Sequence, residues 1–224
     1  MSTKNDLSTT LFDRLLTMYS DDIKRMLVVQ YRMHQKIMEF SSRELYSNRL
    51  VADDSVARHV LADIPDVSIT ENTEVPVVMI DTSDTGLGHE IVDDAQDNGE
   101  QSRANELEVE LAVKHIQALM DDGLSEEHIG VITPYAFQVT HLIRAIREKW
   151  PAIEIGTVDG FQGREKEAII LSLVRSNDDG EVGFLAEKRR LNGEKKALFC
   201  ILFTNFSITA SGNDSTEAAL VCDM

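Results

Sequence analysis

Short β-branched runs alternate with stretches of helical periodicity along most of this chain, and that alternation is the tightest limit on its fold. Ile153 to Val158 reads as a short strand, and Ile129 to Thr133 and Ala168 to Val174 are nearly continuous apolar runs. Such runs fit strands buried on both faces rather than strands with one wet face. Met26 to Gln30 reads as a further buried strand and Val75 to Asp81 as another. Between them, Thr10 to Tyr19 is a short helix, and His34 to Tyr46 is a helix with Ile37, Met38 and Phe40 turned inward. Leu107, Leu111 and Met120 recur at helical spacing within Ala104 to Asp121, and Gly123 stops that helix. Val139, Leu142, Ile143 and Ile146 make the apolar stripe of one more helix, ended by Pro151 after Trp150. The expectation is an α/β fold, a mostly parallel sheet covered by helices.

A chain of 224 residues with 42% hydrophobic content suits one such domain with some additions. The polar start, Met1 to Thr10, carries no leader pattern, and Ala197 to Ala210 is too short to cross a bilayer. The expected setting is therefore nucleus or cytoplasm, with no membrane. Residues 82–101 hold Gly86, Gly88 and Gly99 among acids and read as a surface insertion. Within it, Asp94, Gln96, Asn98 and Gly99 echo a calcium loop. The twelfth position is Asn105 instead of the bidentate Glu such loops need, so no metal site is expected. Cys200 and Cys222 have no metal-ligand spacing and read as free thiols.

The net charge of −17 argues at first against a nucleic-acid partner. Its distribution weakens the objection. Between Asp81 and Glu110 lie ten acidic residues against one Arg, whereas Arg14 to Arg49 has seven basic against four acidic and His141 to Lys196 eleven against ten. A locally neutral or positive groove is compatible with that pattern.

Two segments carry chemistry. Gln30-Tyr31-Arg32-Met33-His34 lies where a strand hands over to a helix, a usual ligand position in open α/β sheets. A guanidinium there either meets an anion such as phosphate or pairs with a local carboxylate, and a neighbouring Tyr can stack on a base. Thr157-Val158-Asp159-Gly160-Phe161-Gln162-Gly163-Arg164-Glu165 joins two strands through a tight, glycine-bearing segment. Gln162 and Glu165 suit hydrogen bonds to a ribose or a water, while a plain strand connection would account for the glycines alone.

Together with Thr133-Pro134-Tyr135, Gln138, the run Gly183 to Asn192 and the quieter Ser102, Asn105 and Glu108 pattern, these segments resemble a known family in order and spacing. It is the superfamily 1 helicases of the nonsense-mediated-decay and immunoglobulin mu-binding type, with the fungal polymerase-alpha-associated helicase. The resemblance covers roughly Leu11 to Asn192 and matches the C-terminal RecA-like domain, of the P-loop NTPase superfamily. It implies a two-domain motor that binds ATP with Mg²⁺ between its domains and moves 5′ to 3′ on single-stranded DNA or RNA. By that match Tyr31 would stack on adenine and Arg32 would act catalytically at the γ-phosphate, projecting into the cleft with no carboxylate committed to it. Gly163 and Glu165 would lie near the nucleotide. Thr133, Pro134, Tyr135, Thr157, Val158 and Asp159 would line the strand-binding surface.

The sequence departs from that pattern in two places. No Gly-x-x-x-x-Gly-Lys-Ser/Thr loop occurs, nor the acidic Mg²⁺-holding motif, both of which belong to an N-terminal RecA-like domain. After Asn192, Gly193-Glu194-Lys195-Lys196 stands where the family has a Thr-Arg-Ala-Arg segment. Residues 1–192 are thus expected to form the domain and 193–224 a divergent tail, with Leu198 to Phe203 adding a strand. Two functions remain: a motor domain inactive without its partner domain, and a non-catalytic single-strand or partner-binding module.

Overall fold

The computed structural model describes residues 11–82, 89–93, 102–161, 164–176 and 197–204. In chain order these form α1 (Leu11–Tyr19), β1 (Val29–Gln30), α2 (Gln35–Tyr46), β2 (Val51–Ala52), β3 (Val77–Asp81), β4 (Ile91–Val92) and β5 (Arg103–Ala104). Then come α3 (Glu106–Asp121), β6 (Ile129–Thr133), α4 (Ala136–Ile146), β7 (Glu154–Thr157), β8 (Lys166–Ser172) and β9 (Ala197–Thr204). Gln162, Gly163, the run Gly183 to Asn192, Lys195 and Lys196, Cys222 and the rejected calcium positions 94–99 fall outside the described residues.

Five strands make one sheet in the order β3-β9-β8-β6-β7, every pair parallel. The segment carrying β9, read from sequence as an added strand, occupies an interior position between β3 and β8. Small two-stranded ladders, β1 with β2 and β4 with β5, stand apart from this sheet.

One core packs α3 and α4 against the sheet. Val109, Ala112, Ile116 and Leu119 of α3 and Leu142 and Ile146 of α4 meet Ile129 and Val131 of β6 and Ala168 and Ile170 of β8. The alternate residues of the same strands, Ile132, Ile169 and Leu171, face the other way onto Ile37 and Phe161. This is the period-two alternation of a sheet covered on both faces. The α3 stripe differs from the expected one: Leu107, Leu111 and Met120 are half-buried, and the buried row lies beside them. Glu108 belongs to the buried face, where its hydrogen bonds hold it, and a count of apolar positions cannot register such a residue.

Gly123 ends α3 as expected, at φ +103°. A Cβ there would lie 2.3 Å from the Asp66 carbonyl oxygen.

Two expectations are corrected. Met26 to Gln30 is not a buried strand of the main sheet. Only Val29–Gln30 is extended, it pairs with β2, and Leu27, Val28 and Val29 are exposed because no described element covers them. Nor is the Thr157 to Glu165 segment a tight strand-turn-strand link. Its flanking strands β7 and β8 are parallel, on either side of β6, so the chain must cross from one end of the sheet to the other. Phe161 makes that crossing by packing beneath β6, its ring close enough to Gly130 that a Cβ there would lie 2.7 Å from it.

Candidate functional site

The crossing divides the sequence-predicted residues between the two ends of the sheet. Thr133 and Thr157 are the last residues of β6 and β7 and stand in register. Glu165 is one residue before β8 and so lies at the opposite, amino-terminal end of that strand. Ile132 pairs with Leu171, so Thr133 lies level with Ser172, seven residues past Glu165, and at about 3.3 Å per residue the two groups are roughly 23 Å apart along the strands.

At the amino end, Glu165 meets Arg32. Arg32 Nε donates to Glu165 Oε1 at 3.1 Å, with both side chains more than half exposed. The expectation that Arg32 has no carboxylate committed to it is therefore corrected: the crossover carries Glu165 to it. β1 lies outside the main sheet, so the rule about carboxyl ends of sheet strands does not apply to this segment. Gln30 builds the turn that presents Arg32. Its side-chain oxygen accepts from the backbone N–H of Arg32 at 2.8 Å and of Met33 at 2.9 Å, and its amide donates to the Met33 carbonyl at 2.8 Å. Tyr31, inside that turn, is 65% exposed, its ring open to a flat ligand. His34 then caps α2, accepting from Lys36 N–H at 3.0 Å, and burial lowers its pKa.

At the carboxyl end, Thr133 is buried, while Pro134 and Tyr135 are half-buried just before α4. Val158 is half-buried and Asp159 exposed, opening a short helical turn in which Gly160 N–H donates to Thr157 Oγ1 at 3.3 Å. These six residues are brought together. Tyr31, Arg32 and Glu165 form a separate group.

Beneath the carboxyl end lies a buried polar network. Asn105 and Gln138 bond to each other twice: Asn105 N–H donates to Gln138 Oε1 at 2.9 Å, and Gln138 Nε2 returns to the Asn105 carbonyl at 3.2 Å. Gln138 Nε2 also reaches Ser172 Oγ at 2.8 Å. Ser172 in turn donates to Glu108 Oε2 at 2.5 Å, and Val174 N–H donates to both Glu108 oxygens at 3.0 Å. Burial pushes the Glu108 carboxyl up to about 7, against the opposing pull of the Ser172 hydroxyl and the Val174 N–H. Beyond Val174, the buried Arg175 pairs with Glu90 at 3.2 Å, and Glu90 also pairs with Arg103. Burial holds the Tyr135 hydroxyl above its ordinary pKa, against the opposing charge of Arg175 nearby. Asn105, Glu108 and Gln138 stand out in the sequence only as a pattern, and Glu90 and Arg175 do not stand out at all. Nothing in the sequence signals their pairing, because one precedes β4 and the other follows β8.

A family model described as AAA domain matches residues 7–194. The rat DNA-binding protein SMUBP-2 is 49% identical over 186 residues, which are 83% of this chain and 18% of the rat protein. The DNA polymerase alpha-associated DNA helicase A of Saccharomyces cerevisiae is 47% identical, over 84% of this chain and 28% of the yeast protein. The ATP-dependent helicase upf1 of Schizosaccharomyces pombe is 32% identical, over 83% and 20%. The chain spans less than a third of the length of these curated relatives. With its parallel sheet of RecA-like type, this chain belongs to the AAA-domain family as a superfamily 1 helicase domain of the nonsense-mediated-decay and immunoglobulin mu-binding type.

Proposed function

We propose that this chain is the second motor domain of an ATP-dependent 5′ to 3′ helicase. In this reading the amino-end group faces a nucleotide and the carboxyl-end group faces single-stranded DNA or RNA. The observation that carries it is the exposure of Tyr31 and Arg32 side by side on the turn that Gln30 builds, with Glu165 on the same open surface. A flat ring, a guanidinium and a carboxylate on one exposed surface match the base, phosphate and ribose of a nucleotide. Tyr31 would hold adenine, Arg32 would stabilise charge on the γ-phosphate, and Glu165 and Gly163 would lie at the sugar and phosphates. Bound ATP with Mg²⁺ supplies the phosphoryl group and neutralises its charge. The chain's own part is to position and to counter charge from one side of the cleft.

The other side belongs to an N-terminal RecA-like domain. The α1 helix supports that partner: it has no buried residue, and Leu11, Phe12, Met18 and Tyr19 are exposed together with Leu27, Val28 and Val29. Exposed apolar side chains gathered in these two neighbouring segments fit an interaction face. The strand-binding residues act through backbone and phosphate contacts, so binding is sequence-tolerant.

A second reading, a strand- or partner-binding module without turnover, is favoured by one feature: the 224 residues contain no phosphate-cradling Gly-x-x-x-x-Gly-Lys-Ser/Thr loop. One experiment separates the two. The chain is joined to a family N-terminal RecA-like domain, with a Thr-Arg-Ala-Arg segment restored after Asn192, and ATP hydrolysis is measured with single-stranded DNA or RNA. The motor reading expects turnover that Arg32→Ala lowers roughly 10³-fold or more. A reconstituted enzyme indifferent to Arg32 refutes it.

A further inference from the structure

The three residues Leu173, Val174 and Arg175 form a turn closed by Arg175 N–H donating to the Leu173 carbonyl at 2.8 Å. Val174, at its centre, has φ +72°. That is the left-handed form of a three-residue turn, rare and strained, and a β-branched residue is among the least suited to it. Such strain persists only where the surroundings over-determine it. Here they do: both oxygens of Glu108 hold the Val174 N–H at 3.0 Å, and Asn105 Nδ2 donates to the Val174 carbonyl at 3.3 Å. Glu108 is wholly buried, a position a carboxylate occupies only at a cost that its hydrogen bonds must offset.

The strained turn has a consequence one residue on. Val174 is followed directly by Arg175, which Glu90 fixes and whose charge lies close enough to the Tyr135 hydroxyl to act on it electrostatically. Tyr135 is also held from behind, because Gln138, in the first turn of α4, is bonded to Asn105 and Ser172 of the same network. We infer that Glu108 is a positioning residue for single-strand binding: it locks the Val174 turn so that Arg175 sets Tyr135 on the strand-binding surface. This inference rests on the reading of Thr133 to Tyr135 as that surface.

The test uses the whole chain, a fluorescent oligothymidylate at low salt, and backbone hydrogen exchange. In Glu108→Gln, exchange at residues 174–176 and 135–137 should speed up at least tenfold, with the interior of β6 unchanged, and oligonucleotide affinity should fall several-fold. Adding Val174→Gly, which accepts φ +72° without strain, should restore most of both. That rescue is not expected of a residue that merely fills the core. Should Glu108→Gln fail to fold, Asn105→Ser with and without Val174→Gly gives the same comparison from the carbonyl side. A wild-type chain that binds no oligonucleotide overturns the strand-binding reading and this inference with it. Wild-type binding that Glu108→Gln leaves intact, or a loss that Val174→Gly does not repair, overturns this inference alone.

Discussion

Arg32 and Glu165 meet at 3.1 Å although one follows the first short strand and the other ends the crossover beneath β6. Both side chains are more than half exposed, so their pairing is worth at most about 1 kcal/mol. Arg32→Ala and Glu165→Gln should each change the free energy of unfolding by less than that, read from denaturant melts. A loss of about 3 kcal/mol or more would mark the pair as a structural bridge, because that is the cost of orphaning a buried charge.

The isolated chain should show no measurable ATP hydrolysis, with or without single-stranded DNA or RNA. Phosphoryl transfer depends on positioning from both sides of the cleft, and this chain supplies one. Nucleic-acid-stimulated turnover from clean material would count against it.

Single-strand binding by the chain should be weak and should fall as salt rises, because it rests on phosphate contacts beside a strongly acidic stretch. Fluorescence anisotropy at two ionic strengths measures this. Affinity that ignores salt, or a preference for duplex, would remove Thr133 to Tyr135 and Thr157 to Asp159 from the strand surface.

Glu108 gives a pH prediction whose sign is set by the direction of its shift. Its folded pKa, about 7, lies above the unfolded value of 4.5, so the folded chain binds this proton more tightly. Its contribution to stability is therefore fully present below about pH 4.5 and is lost as pH rises to about 7, amounting to about 3 kcal/mol. Melting of the wild type against Glu108→Gln across that window checks it: the variant should gain on the wild type as pH rises. A constant difference from pH 4.5 to 7.5 would show that Glu108 is not perturbed.

Gly123→Ala should lower stability by about 1–2 kcal/mol or more, since an L side chain resists the positive φ and the added carbon meets the Asp66 carbonyl. Equilibrium unfolding measures the loss. A neutral substitution would mean that the end of α3 relaxes without cost.

Much of this architecture is legible in the residues themselves. The continuous apolar runs of β6 and β8, the inward set Ile37, Met38 and Phe40 of α2 and the stop at Gly123 follow from local pattern, because period and glycine conformation act over a few residues. Arg32, Tyr31, Glu165 and the Thr133 and Thr157 segments were likewise recognisable by type and order. Tertiary structure alone decided their arrangement. It carried the segment after β7 across the sheet, which separated Thr157 from Glu165 and delivered Glu165 to Arg32. It also left Leu27 to Val29 uncovered, where local hydrophobicity indicated burial. The left-handed Val174 turn and the chain from Glu108 to Arg175 and Tyr135 have no local signature, because each bond joins residues from different elements. The sequence names the groups that carry chemistry; long-range pairing and the order of strands in the sheet determine which of them meet.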